Sequence, residues 1–226
     1  MDVTLSGRTL YKDGSWNTLC LPFDAELTGD FSGAEIRTLS DATFSEGTLT
    51  LDFTPASDEG AVTSIEAGKP YIIKWTIGDN FTPTFTGVTI NSADPTDVTG
   101  TAANFHGIFS PYAITGEDKT LLYLGYDDTN SKSTLYYPSE AMTINAFRAY
   151  FTLNGITAGE SSNARAFVLN FGDGETSGIV DAEANSSLFT LHPSLSTWYD
   201  MQGRRLSGKP TAKDLYISNG RKVYVK

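Results

Sequence analysis

Few residues in this chain are of the kinds that make and break bonds. His106 in NFHGIF and His192 in TLHPSL stand far apart in sequence, and Cys20 in NTLCLPF is the sole cysteine. A cysteine nucleophile needs its thiol, an imidazole and an orienting carboxylate to meet. Cys20 lies in an apolar run, so it is expected to be a small buried hydrophobe. Both histidines are expected to be hydrogen-bonded or solvated structural residues. A single cysteine excludes an intramolecular disulfide and a cysteine-based metal site. No Gly-x-Ser-x-Gly elbow, phosphate loop, dinucleotide fingerprint or His-Glu-x-x-His occurs.

Carboxylates come in pairs at Asp58-Glu59, Glu117-Asp118, Asp127-Asp128 and Asp173 with Glu175. A glycosidase needs two carboxyl groups across a cleft, one of them desolvated. These pairs sit in polar, turn-like stretches where both members stay in water. The acidic run GDGETSGIVDAE could offer several oxygens to calcium through Asp173, Glu175, Asp181 and Glu183. Its spacing fits no calcium loop, and a solvated acidic segment accounts for it. No catalytic residue, metal site or cofactor is expected.

The tyrosines are more suggestive. Tyr123, Tyr126, Tyr136 and Tyr137 cluster in TLLYLGY and STLYYP, which flank the polar turn DDTNSK. Aromatics on paired strands can form a flat platform for a sugar ring, or they can seal a core. Spacing limits the platform. Tyr123 and Tyr126 must point to opposite faces, as must Tyr136 and Tyr137, so one face holds at most one ring per strand unless a bulge intervenes, with Gly125 the place for one.

The elements that would position these residues are strands. Leu49, Leu51 and Phe53 alternate with Thr48, Thr50 and Asp52. Phe147, Ala149, Phe151 and Leu153 alternate with Arg148, Tyr150 and Thr152, and Arg165, Phe167, Leu169 and Phe171 alternate with Ala166 and Val168. KPYIIKWTI and PTFTGVTI are β-branched and aromatic, joined by a turn-rich GDNFT. Strands recur about every ten residues, which predicts an all-β antiparallel sandwich, jelly-roll-like, over residues 1–171. Trp16, Leu19, Leu21 and Phe23 should anchor its core, with Cys20 among them. PSEAM, residues 138–142, is the best helical stretch and amounts to one turn at most. Residues 172–187 read as an acidic linker or excursion. Residues 188–226 read as a small β-meander of three strands, with Asn219-Gly220 as a type I′ turn. Such a piece is too small to be stable alone and should pack on the body or on a neighbouring chain.

The chain has 226 residues, 39% hydrophobic, 12% aromatic and 19% charged, with a net charge of −11. That balance excludes nucleic acid as a partner, because phosphates need a basic surface. No stretch is long and apolar enough for membrane insertion, and no secretory signal stands at Met1. Charge is unevenly spread. Residues 1–184 carry 9 Lys and Arg against 25 Asp and Glu, whereas residues 185–226 carry 7 against 2. A basic C-terminal module therefore follows an acidic body.

That module, WYDMQGRRLSG to LYISNGRKVYVK, resembles the C-terminal sorting tails of exported Bacteroidetes proteins. The resemblance rests on Tyr199, Asp200, Gly203, Arg204, Tyr216, Ile217, Asn219, Gly220, Lys222 and Lys226. Asp214-Leu215 departs from it, where those tails usually carry a glycine. Over residues 3–180 the phrases GRTLYKDGSWNTLCLPFD, EAGKPYIIKW and TFTGVTI resemble an uncharacterised domain of large Bacteroides-type surface proteins, several of which also carry leucine-rich or adhesin-type repeats. The resemblance implies an extracellular or outer-surface location and no particular activity. MDVTLSGRTLYKDG reads as the middle of a strand, so the chain is expected to be a piece of a longer exported protein whose signal lies upstream or has been removed.

The expected function is a non-catalytic attachment or spacer module of a cell-surface protein, joined to other domains of its parent chain and facing a glycan or a host or cell-surface protein. A carbohydrate-binding module using the tyrosines is the alternative, and a glycoside hydrolase a distant third.

Overall fold

The computed structural model describes residues 1–55, 64–127, 132–159, 164–171, 176–181, 198–199, 205–206, 215–218 and 221–224, with backbone alone at 55, at 132 and from 176 onward. The chain divides into two compact units, Met1–Ser186 and Ser187–Lys226.

The first unit opens with β1 (Val3–Thr4), β2 (Asn17–Leu19) and β3 (Ala25–Glu26), then a single 3₁₀ turn at Gly29–Phe31. A long hairpin follows, β4 (Glu35–Ser45) and β5 (Thr48–Pro55), and then β6 (Ser64–Ile65), β7 (Tyr71–Lys74) and β8 (Thr84–Phe85). Next come β9 (Val98–Thr99), β10 (Ala103–Ile108), β11 (Tyr112–Ile114), β12 (Leu121–Asp127), β13 (Lys132–Tyr136), β14 (Met142–Ile144) and β15 (Arg148–Leu153). β16 (Ala166–Asn170) and β17 (Thr176–Asp181) complete the unit. No α-helix occurs among the described residues; in PSEAM, Ser139 and Glu140 form a bend and the methionine opens β14.

Two sheets form a sandwich. One has the order β17-β16-β5-β4-β7-β2 and the other β13-β12-β15-β10-β9. Leu49, Leu51, Phe53, Phe167 and Leu169 from the first meet Phe105, Leu122, Leu135, Phe151 and Leu153 from the second. Phe53 packs edge-on against Phe105 and Phe151, whose own rings stack 4.4 Å apart. Edge-to-face and offset contacts of this kind add to the stabilisation from burial alone. The alternation expected from sequence holds for strands covered on one face.

β7 shows what happens when both faces are covered. Tyr71, Ile72 and Ile73 are all buried. Ile72 faces the sandwich, whereas Tyr71 and Ile73 join a second cluster with Leu19, Leu21, Phe23 and Phe85. The β1–β8 and β3–β6 pairs supply that outer layer. A continuous apolar run is the signature of a strand buried twice. Trp16, Leu19, Leu21 and Phe23 are core residues, and Cys20 is fully buried among them.

Three expectations need correction. β16 runs parallel to β5, with Phe167 opposite Leu49 and Leu169 opposite Leu51, so the sandwich is not wholly antiparallel. The chain leaves the first sheet, builds the second, and returns, and a crossover of that kind permits a parallel strand. The linker or excursion expected over 172–187 does not hold for Thr176–Asp181, which pairs antiparallel with β16 as the edge strand. In sequence its apolar pair Ile179-Val180 is short and flanked by polar, acidic residues, so no strand showed there. Residues 172–175 and 182–187 lie outside the described residues.

Among the described residues of the second unit there are four strands where three were expected. β18 (Trp198–Tyr199), β19 (Arg205–Leu206), β20 (Leu215–Ser218) and β21 (Arg221–Tyr224) form an antiparallel sheet of order β19-β18-β20-β21. β19 was missed because Arg205-Leu206 is too short to show a period. Of the sorting-tail residues, Tyr199, Tyr216, Ile217 and Lys222 lie on strands. Asp200, Gly203, Arg204, Asn219, Gly220 and Lys226 lie outside the described residues.

Candidate functional site

The five-stranded sheet turns one face into the sandwich and one outward, and strand register decides which aromatic goes where. Tyr123 pairs with Tyr136, and Gly125 with Thr134. Tyr123, Gly125 and Tyr136 therefore share the outward face. The two rings stack with centroids 5.8 Å apart and planes 26° apart, both half-buried. Gly125 leaves room for this, since a Cβ there would lie 2.7 Å from the Tyr136 ring. No bulge is needed. Tyr137 faces inward and is buried in the sandwich core, while Tyr126 is exposed on the face opposite the pair. Of the four tyrosines, the fold thus brings two together and parts the other two from them.

More aromatics lie on the same outward face. His106 of β10 stands opposite Tyr150 of β15 and stacks on it at 5.2 Å. Tyr112 of β11 stacks on Tyr150 at 5.1 Å with planes only 8° apart, and is 42% exposed. The antiparallel β11–β14 pair lies over this face and closes a small cluster of Ile114, Leu121 and Ile144, against which Tyr123, Met142 and Tyr150 pack. Burial pushes the phenols of Tyr123 and Tyr150 up from their ordinary range. Tyr112 and Tyr150 were not singled out from sequence as site residues. The alternation that puts Tyr150 opposite Ala149 and Phe151 already placed it on the outward face, but nothing local signals that Tyr112 would reach it.

His106 is held at both ring nitrogens. Nδ1 lies 2.8 Å from Asp97 Oδ2, and Nε2 lies 2.6 Å from the Thr152 hydroxyl. Hydroxyl, imidazole and carboxylate in this order have the outline of an acyl-transfer relay. The relay also needs donors for a developing oxyanion. Here Thr152 lies mid-strand with β10 on one side and β12 on the other, so its neighbouring backbone groups are spent in the ladders. The nearby Asn104 amide donates to Asn154. The arrangement therefore fixes the imidazole as part of the aromatic stack. Cys20 is remote from it chemically. Its sulfur lies against Gly107, whose neighbour His106 faces the other way, and burial pushes the thiol up to about 12, with Asp97 adding to the shift.

Glu117-Asp118, the one pair wholly within the described residues, is engaged locally. Glu117 is 2.8 Å from Lys119, and Asp118 accepts from the backbone and hydroxyl of Thr120. Asp127 lies on β12, while Asp58, Glu59, Asp128, Asp173, Glu175 and Glu183 lie outside the described residues. Among the described residues no group of three or more His, Cys, Asp or Glu could hold a metal ion. A polar groove of about 600 Å³ runs between Asp24, Glu26, Phe31 and the Thr84–Thr89 segment. Asp24 spends one oxygen there on the Ala67 N–H. Among the described residues no helix is long and apolar enough to cross a membrane.

Comparison with protein-family models, with curated proteins and with solved structures finds no match to this chain.

Proposed function

We propose that this protein is a non-catalytic attachment module of an exported bacterial cell-surface protein, and that its contact surface is the outward face of the five-stranded sheet, which takes carbohydrate. The observation that carries this reading is the Tyr123–Tyr136 stack, which remains half-open to solvent although the sandwich core has no need of it. Tyr112, with Tyr150 behind it, extends the aromatic surface. Sugar rings present apolar C–H faces that pack on such rings, while hydroxyls bond to polar neighbours. Two or three rings allow a short site and weak affinity. The exported origin is supported by the resemblance of both the body and the C-terminal segment to Bacteroides-type surface proteins.

A glycan array followed by titration calorimetry tests the reading. Binding of at least one polysaccharide is expected, lost in Tyr136→Ala while the thermal transition remains cooperative. Absence of binding to every saccharide, or binding indifferent to Tyr136→Ala and Tyr112→Ala, would sink it.

A further inference from the structure

β12 and β15 are paired only at Leu121↔Thr152 and Leu122↔Phe151. Beyond these residues they part, and a cleft of about 150 Å³ opens between them, lined by Thr18, Tyr123, Met142, Thr143, Asn145 and Arg148 among others. Sites for drug-sized ligands are several times larger, so this cleft suits a single sugar residue or its substituent.

Arg148 stands in the cleft unanswered. Among the described residues no hydrogen bond or ion pair engages its guanidinium. The group that favours its charge is the phenol of Tyr11, not a carboxylate, and burial pushes its pKa down. Thr18, on the cleft wall, is held from behind by Arg8, which is only 3% exposed. Arg8 donates to the carbonyls of Thr9 and Thr18, and its Nε has no partner. Burial first, and the charge of Arg148 second, hold Arg8 down to about 9.

Two desolvated guanidinium groups within reach of each other's field, with no carboxylate on either, oppose folding. They do so in a body with 25 Asp and Glu against 9 Lys and Arg through residue 184, where partners abound. A planar fork of N–H donors in a partly desolvated cleft is suited to a carboxylate arriving from outside.

We propose that this cleft is an anion subsite, in which Arg148 receives the carboxylate of an acidic sugar, a uronic acid, whose ring lies against Tyr123 while Thr143 and Asn145 bond its hydroxyls. The inference rests on the carbohydrate reading above and specifies the sugar. An aromatic wall and two exposed polar side chains at the rim favour a sugar over an acidic peptide.

Calorimetry on the full chain with oligogalacturonate, its methyl ester and poly-glutamate tests it. Wild type should bind the acid about ten- to a hundredfold more tightly than the ester, the worth of a charged hydrogen bond. Arg148→Met should remove that ratio, and Arg148→Lys should keep part of it. Thr143→Val, an exposed change at the rim, should weaken both sugars without altering the fold. Acid and ester bound equally by wild type would overturn the anion subsite and leave the carbohydrate reading standing. Poly-glutamate bound through Arg148 with no saccharide bound would overturn both in favour of a peptide. No binding of any of the three would likewise overturn the subsite.

Discussion

The sulfur of Cys20 occupies the place a side chain on Gly107 would need. A Cβ built on Gly107 runs into both Sγ and Cβ of Cys20. Gly107→Ala should destabilise by about 1–3 kcal/mol, because a packed core resists an added methyl group. Removing the sulfur relieves the conflict, so Gly107→Ala with Cys20→Ala should be less destabilised than the sum of the two single variants. Urea denaturation of the four proteins measures this, and strict additivity would contradict it.

The same burial makes Cys20 inert in the native protein. Its thiol is pushed up to about 12 by burial first and Asp97 second, and Tyr71 is pushed up to about 12, chiefly by burial. Well below pH 9 both groups are protonated whether the chain is folded or not, so their contribution to stability is whole there. Above it the unfolded chain releases these protons first, and stability falls as pH climbs toward 12. A thiol reagent at pH 8 should leave Cys20 unmodified until denaturant is added. Stability should fall less steeply between pH 9 and 11 in Cys20→Ala than in wild type.

Arg37 ties the start of β4 to the end of β16. Its Nη1 donates to the Phe171 carbonyl at 2.6 Å and its Nε to Glu35 at 2.7 Å, with the side chain 10% exposed. Arg37→Ala leaves a buried carbonyl short of a donor and strips a packed stem, at a cost of about 2–4 kcal/mol. Glu35 is 39% exposed and also meets Lys74, so Glu35→Gln should cost under about 1 kcal/mol. Equal losses from the two would refute this division of labour.

Tyr137 and Tyr126 separate core from surface. Tyr137→Ala should lose about 3–5 kcal/mol by opening the sandwich core, whereas Tyr126→Ala should change stability by no more than about 0.5 kcal/mol. Thermal unfolding distinguishes the two directly.

Much of this was readable beforehand. The period-two runs that form β5, β15 and β16 named their buried residues, and spacing alone required Tyr136 and Tyr137 to part. What stayed hidden depended on long-range pairing. The parallel partnership of β5 with β16 leaves no local trace, because parallel and antiparallel strands bury the same alternate residues. The stack of Tyr112 on Tyr150 depends on β11 and β14, distant in the chain, pairing across a sheet. Arg148 looked like any outward residue of an alternating strand until the parting of β12 from β15 enclosed it.

β5 and β16 are neighbours in space but are separated in the chain by the whole of the second sheet. During synthesis, β5 and β4 emerge early, and the open side of β5 must wait, bare, until Ala166–Asn170 leaves the ribosome. Leu49 and Leu51 stand on that waiting edge. Closure of the sandwich is thus a late, high-contact-order event, and the nascent chain is at its most prone to pair with another copy of itself just before it.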